Sequence, residues 1–394
     1  MKKLLLASAA TALMASGAFA AEVKIGVILG FTGPIESMTP AMGAGADLAI
    51  AEVNASGKFL NGDTLVAVRG DSTCIDSAAA TSVMERLVTS DKVAAVVGGD
   101  CSGVTGAMLQ NVARPNGIVM ISPSATSPAL STAEDDGLFF RTAPSDARQG
   151  AVVADILNDR GVKSVAITYT NNDYGKGLAD SIQAAYEASG GKVTINAAHE
   201  DGKADYSAEV GALASAGGEV LVVAGYLDQG GKGIIQAALD AGAFSVFELP
   251  DGMVGDPLLA ALGNRIDGSF GQHPGTDSPG ATTFNDLAKA AGFDGTSAFA
   301  PESYDAAALI ILAMAAAKST DSKVFKDKVM DVANAPGEKI YPGELAKALD
   351  IIAGGGDVDY VGASAVELIG PGESAGNYRE VDVKDGKFVT HMYR

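Results

Sequence analysis

The stretch VVGGDCSGVTGAMLQNVARPNGIVMISPSATSPAL, from Val96 to Leu130, constrains the fold more than any other part of the chain. Val93–Val97 is a short valine-rich run closed by Gly98-Gly99, the pattern of a buried strand and a turn. Ser102 stands at an N-cap position, and Val104–Arg114 carries apolar residues at helical spacing. Gly117–Ile121 is a second buried run, ending in Ser122-Pro123-Ser124-Ala125-Thr126-Ser127-Pro128. Two strands joined in this way lie parallel in one sheet, and both end in hydroxyl- and glycine-rich turns on the same side. Ligands of open α/β sheets bind beyond the carboxyl ends of the strands. Hydroxyls and free helix N–H groups gathered there suit a small anion, most naturally a carboxylate.

The same alternation runs through most of the chain. Strands are predicted at Val23–Leu29, Leu65–Asp71 and Leu138–Arg141, with helices at Pro40–Ala55 and Ser77–Val88 between them. In the first helix Ala44, Leu48, Ile50 and Ala51 are expected to face the core. After Thr142-Ala143-Pro144-Ser145 the pattern restarts, with strands at Ser164–Tyr169, Lys192–Ala197, Val220–Ala224, Val246–Leu249 and Gly268–Gly271. Long helices at Thr282–Ala291 and Pro301–Lys318 need a sheet to cover, and the first unit is the simplest one. Gly354–Asp359 is a further glycine-rich crossing, and Tyr360–Arg394 suggests short strands around Lys384-Asp385-Gly386-Lys387. The fold class is therefore α/β, two doubly wound parallel-sheet lobes joined by a three-crossing hinge with a cleft between them. The expected division is a signal peptide at 1–20, an N-terminal lobe at 21–142 plus 276–355, and a C-terminal lobe at 143–275 plus 356–394.

The leader itself has two lysines, an apolar run and the ending Ala18-Phe19-Ala20, so cleavage after Ala20 and export to a bacterial periplasm are expected. No later stretch reads as a membrane span, and Ile310–Ala317 reads as the apolar part of an amphipathic helix. The roughly 370 residues that remain suffice for two full cores. A formal net charge of −20 argues against nucleic acid and against anionic lipid as partners. Cys74 and Cys101 are the two cysteines, each at the carboxyl end of a predicted strand, and an exported even pair points to a disulfide. His199, His273 and His391 lie far apart and show no ligand spacing with the cysteines, so neither a metal site nor a cofactor is implied.

Read in order, VKIGVILGFTGP, the cysteine pair, ISPSATSP, FRTAPSD, NDYGKGLAD, Tyr226, LPDGMVG and PESYDAAAL resemble the periplasmic leucine/isoleucine/valine-binding proteins and their amide-binding relatives. These are the type I periplasmic substrate-binding components of ABC importers. The resemblance implies that Ser102, Ser124, Ala125 and Thr126 receive the α-carboxylate of an amino acid, beside Cys101. It implies that Asp251 takes the α-ammonium, with Tyr226 and Tyr174 covering the ligand from the second lobe. Met38 falls where a large residue lies over the ligand, and Tyr304 near the hinge side of the cleft. Asp100 departs from the family pattern, which is apolar there in the branched-chain binders. It either contacts a polar ligand group or serves the positive end of the helix that follows. The implied partners are an amino-acid ligand and membrane permease subunits, with the binding protein itself a monomer and not an enzyme.

Other readings are weaker. Amide, urea-like or aromatic carboxylate ligands fit the same fold, as does a sensor role. Gly99-Asp100-Cys101-Ser102-Gly103 formally matches a nucleophile elbow, but a cysteine hydrolase needs a histidine base, and no histidine follows a strand of the same lobe. Gly43-Ala44-Gly45 lies inside a helix and lacks the third glycine of a dinucleotide fingerprint.

Overall fold

The structure, a computed structural model, describes residues 20–394; the expected leader lies outside the described residues except for Ala20. The first run of strands is β1 (Glu22–Leu29), β2 (Thr64–Asp71), β3 (Ala95–Gly98), β4 (Val119–Ser122) and β5 (Phe139–Pro144). The second is β6 (Ser164–Thr170), β7 (Lys192–His199), β8 (Val220–Ala224), β9 (Phe247–Leu249) and β10 (Phe270–Pro274). The chain closes with β11 (Glu338–Ile340), β12 (Val358–Tyr360), β13 (Leu368–Ile369), β14 (Glu373–Ser374), β15 (Tyr378–Lys384) and β16 (Lys387–Tyr393).

These strands form two seven-stranded sheets, ordered β13-β14-β5-β4-β3-β1-β2 and β16-β15-β10-β9-β8-β6-β7, with β11 and β12 as a separate pair. Within each sheet the five leading strands are parallel and carry the order 2-1-3-4-5, so the winding reverses between β1 and β3 and again between β6 and β8. Such reversal points open a crevice at the carboxyl ends of the strands. The two lobes present these crevices to one another.

The third crossing differs from the expectation. Gly354 caps the helix Leu345–Ala353, and the glycines after it only turn the chain into β12, which pairs with β11. β14 then adds parallel to β5, so residues 356–374 stay with the first sheet. The crossing comes between β14 and β15, where β15 joins β10 antiparallel and forms a hairpin with β16.

The helix Ala300–Ala317 is also not amphipathic. It is 83% buried and, by length and mean hydropathy, would suffice to cross a membrane. It lies instead between β3–β5 and the helices Thr39–Ser56, Val329–Ala333 and Leu345–Ala353, which cover it from outside. This packing corrects the predicted face of Thr39–Ser56. Thr39, Met42, Gly43, Gly45, Ala46, Ala49, Ile50 and Val53 are its buried residues, while Ala51 is exposed and Ala44 and Leu48 are half-buried. Close approach decides the face, since a Cβ on Gly45 would stand 2.4 Å from the Ala300 carbonyl oxygen. A hydrophobicity pattern gives glycine no credit for such contact.

Candidate functional site

A cavity of about 320 Å³ lies between the lobes, at the carboxyl ends of β1, β3, β6, β8 and β9. From the first lobe Ile35, Met38 and Phe299 supply apolar walls, and Asp100, Cys101, Ser102 and Ser124 supply the polar floor. Tyr174, Tyr226, Asp251 and Gly252 close it from the second lobe.

The floor is fixed by its own hydrogen bonds. Ser102 is the first residue of its helix rather than its cap, and Cys101 holds the cap position without a side-chain bond. The Ser102 hydroxyl instead accepts from the backbone N–H of Ser127 at 3.1 Å, joining the two turns. Ser122 Oγ donates to the Gly99 carbonyl and accepts from the N–H of Ala125, while Ser124 Oγ donates to the Asp100 carbonyl. Beneath the second turn lies Arg141, 1% exposed, whose Nη1 donates to the carbonyls of Ala125 and Ser127, both at 2.9 Å. Its charge is balanced by Glu373 of β14. Arg141, quoted in FRTAPSD but given no role there, thus sets the shape of the loop. The disulfide Cys74–Cys101 ties the end of β2 to the same floor, and its bonded sulfur is not available as a thiolate nucleophile.

Asp100 uses both carboxylate oxygens on the protein itself. Oδ2 accepts from the Gly30 N–H at 2.6 Å, and Oδ1 from Ser72 Oγ at 2.8 Å. It lines the cavity but serves to hold the ends of β1 and β2 together. Tyr304 is not part of the site. Its hydroxyl donates to Glu52 and accepts from the Gly343 N–H, inside the first lobe. Ala125 and Thr126 are fully buried and do not line the cavity, although Ser124 beside them does.

On the opposite wall Tyr174 and Tyr226 stack with ring centroids 5.1 Å apart. The Tyr174 hydroxyl donates to Asp251 Oδ1 at 2.6 Å, and the Gly252 N–H donates to the same oxygen at 2.8 Å. Gly252 permits this approach, since a Cβ there would stand 2.6 Å from the Gly225 carbonyl oxygen and 2.8 Å from the Tyr174 hydroxyl.

A residue that sequence reasoning missed lies behind this wall. Asp146 opens the helix Asp146–Asp159, is wholly buried, and neither of its carboxyl oxygens has a hydrogen-bond partner among the described residues. Burial and then the charge of Asp251 push its carboxyl well above the ordinary range. Burial likewise raises Asp251, against the bonds from Tyr174 and Gly252 that lower it. Thr126 Oγ1, Gln149 Nε2 and Gln272 Oε1 are also buried without partners. Unpaired buried polar groups each cost on the order of 1–3 kcal/mol. Two interacting buried carboxyls that make no ion pair among the described residues form an arrangement that a positive group from a ligand would relieve.

The lobes already meet around the cavity. The Ser37 N–H donates to the Asp228 carboxylate at 2.9 Å, and the Asp228 N–H donates to the Pro34 carbonyl at 3.1 Å. On the other rim Gly177 lies against Ser127 and Pro128.

Two facing α/β lobes that enclose a small polar cavity at their reversal points, and close upon it, define a two-lobed ligand-binding protein. The comparisons with known proteins give the family. A family model described as periplasmic binding protein matches residues 22–337. The Leu/Ile/Val-binding protein of Citrobacter freundii is 31% identical over 267 residues, 68% of this chain and 71% of that one. The chain belongs to the periplasmic binding protein family, whose members bind substrates. Solved structures share the fold. A branched-chain amino-acid transporter substrate-binding protein of Streptococcus pneumoniae, in complex with isoleucine, has a TM-score of 0.77 at 24% identity and covers 95% of this chain and 99% of its own. A solute-binding protein of Rhodopseudomonas palustris, in complex with p-hydroxybenzoic acid, has a TM-score of 0.73 at 19% identity and covers 94% and 95%.

Proposed function

We propose that this chain is the exported substrate-binding component of an ABC importer and that it closes on a small α-amino acid with an apolar side chain. The observation that carries the ligand class is Asp251, which faces a floor of hydroxyl and N–H donors, with the buried, hydrogen-bond-free carboxyl of Asp146 behind it, neither of them in an ion pair among the described residues. In this reading the α-carboxylate rests on Ser102, Ser124 and the free N–H groups at the start of the helix Ser102–Met108. The ammonium sits against Asp251, whose Oδ1 is occupied by Tyr174 and Gly252, so Oδ2 is the oxygen left for it. Asp146 adds its charge from behind. Ile35, Met38 and Phe299 receive the side chain. The relatives' branched-chain ligands agree with these walls.

No chemistry is required of the site. The first lobe captures the ligand, and closure adds the contacts of the second, so the ligand favours the closed form by the energy of the second set. The moving units are the lobes 21–142 with 276–374 and 143–275 with 375–394. The leader at 1–20 directs the chain to the periplasm, and membrane permease subunits recognise the closed form. Aromatic acids without an amine, such as the ligand of the Rhodopseudomonas palustris neighbour, would leave Asp146 and Asp251 unpaired. A thermal-shift screen tests the ligand class. A ligand at ~100-fold its dissociation constant stabilises the protein by about 2.7 kcal/mol. Shifts confined to α-amino acids, and lost in Asp251→Ala with the fold intact, are expected; shifts with benzoates or amides alone would overturn the assignment.

A further inference from the structure

The space between the lobes does not end at the ligand cavity. Nearer the hinge lies a second cavity of about 610 Å³, which shares no lining residue with the first. Its floor includes the crossing Pro274-Gly275-Thr276. Ser297, Glu302 and Ser364 line it from the first lobe, and His273, Arg379 and Thr390 from the second. His273 and Arg379 face each other across β10 and β15.

Three side chains there are provided with chemistry that the fold does not use. Glu302 is 1% exposed, and its Oε2 has no hydrogen-bond partner. Its backbone carbonyl accepts from Thr142 Oγ1 at 2.8 Å, and the carboxyl's remaining contact is its own backbone N–H. His273 is 6% exposed, and its Nδ1 is likewise without a partner. Arg379 donates from Nε to Thr390 Oγ1 at 2.9 Å and takes part in none of the ion pairs among the described residues. In a chain with net charge −20, a guanidinium in a cleft without a carboxylate partner is notable.

The charge state of the cavity follows from burial. Glu302 is pushed up to about 8, so at neutral pH it is a neutral O–H donor. His273 is pushed down to about 4, by burial and then by Arg379, and stays neutral. Asp305, behind the wall, is occupied by Tyr360 Oη, the N–H groups of Ala363 and Ser364, and Ser364 Oγ. The cavity therefore presents one cation and several neutral donors, which disfavours a cationic guest and suits an anionic one.

We propose that this hinge cavity is a second binding site, which takes a small organic carboxylate against Arg379, Glu302 and His273. Its walls belong to both lobes, so its occupant binds one hinge angle better than another. By linkage it must then change the affinity of the amino-acid cavity by the same factor that the amino acid changes its own.

Succinate is the probe, titrated calorimetrically into the full mature chain, with sodium chloride of equal ionic strength as the control for screening. The site requires saturable succinate binding that survives in Asp251→Asn, where the amino-acid cavity is disabled. Arg379→Gln should weaken it by about tenfold, the usual effect of losing one charge-assisted bond. Glu302→Gln, which keeps a neutral donor, should retain it, whereas Glu302→Ala should lose it. With the amino-acid cavity filled, succinate should change the amino-acid dissociation constant to a plateau, unlike the unbounded rise that a competitor causes. Binding lost in Asp251→Asn but kept in Arg379→Gln would place succinate in the amino-acid cavity and overturn the proposal. Heats matched by chloride, or no saturable binding, would overturn it as well. Failure of the amino-acid reading alone would show as absent amino-acid binding with the Arg379-dependent succinate heat still present.

Discussion

Gly177 offers a way to separate closure from folding. It lies in the helix Asp173–Ala188 of the second lobe, where a Cβ would stand 2.8 Å from Pro128 Cδ and 3.2 Å from Ser127 Oγ of the first lobe. A proline ring on an anchored loop does not swing aside, so Gly177→Ala forces the lobes apart by several tenths of an ångström. Overpacking of this kind costs ~1–3 kcal/mol. Here the cost falls on the closed form alone, because the open form separates the two surfaces. The ligand dissociation constant should rise by roughly 5- to 150-fold. Within the helix itself, alanine is better than glycine by about 0.8–1 kcal/mol. The ligand-free protein should therefore melt no lower than the parent, and possession of a more stable lobe should coincide with weaker binding. Calorimetric titration of leucine and a melting curve without ligand read the two effects on the same sample. Unchanged or tighter binding would refute the claim that this rim closes over the ligand. A lowered melting temperature without ligand would refute the claim that the contact is made only on closure.

Other consequences can be checked more briefly. Asp146 and Asp251 both have raised carboxyl pKa values, so without ligand they hold protons to higher pH than ordinary carboxyls. An ammonium requires them ionised; binding should therefore release protons and tighten as pH rises through their raised values, shown by heats that vary with buffer ionisation enthalpy. In the ligand-free protein the same shifts run the other way, with stability falling as pH rises through the raised values. Reduction of Cys74–Cys101, which closes a loop with a sequence separation of 27, should cost about 3–4 kcal/mol and lower the melting temperature by roughly 10 °C. Asp228→Ala removes the bond from Ser37 N–H across the cleft and should weaken ligand binding by about fivefold without changing the ligand-free melting temperature, as titration and melting would show.

Much of this architecture was legible because buried parallel strands are short, valine-rich and sharply ended. Val220–Ala224 was visible from local pattern alone, and the strand ends read at Val97 and Ile121 fall one residue short of those of β3 and β4. Ser102 and Ser124 follow strand ends, and that position pointed to them; Asp251 also follows a strand end, but its role came from the resemblance to the leucine/isoleucine/valine-binding proteins. Asp146 did not stand out, because an acid after serine at a helix start is ordinary capping chemistry. Its meaning comes from Thr126 and Asp251, which are remote in sequence and adjacent only in the fold. Tyr304 was misplaced for a related reason: its partners, Glu52 and Gly343, come from distant segments. The third crossing was set too early because glycines after a helix suit a turn as well as a linker. Asp100 fitted two roles in sequence, and the donors Gly30 and Ser72 reveal a third, between strand ends.

The central claim is that a buried pair of carboxyls selects an ammonium. Leucine and 4-methylpentanoic acid share the carboxylate and the side chain and differ only by the amine, so titrating both into the mature protein tests it most directly. Leaving a buried charge unpaired costs on the order of 3–5 kcal/mol, so leucine should bind at least 100-fold more tightly than its deaminated analogue. Equal affinities would contradict the account, and with it the assignment of Asp146 and Asp251 to an amino-acid ligand.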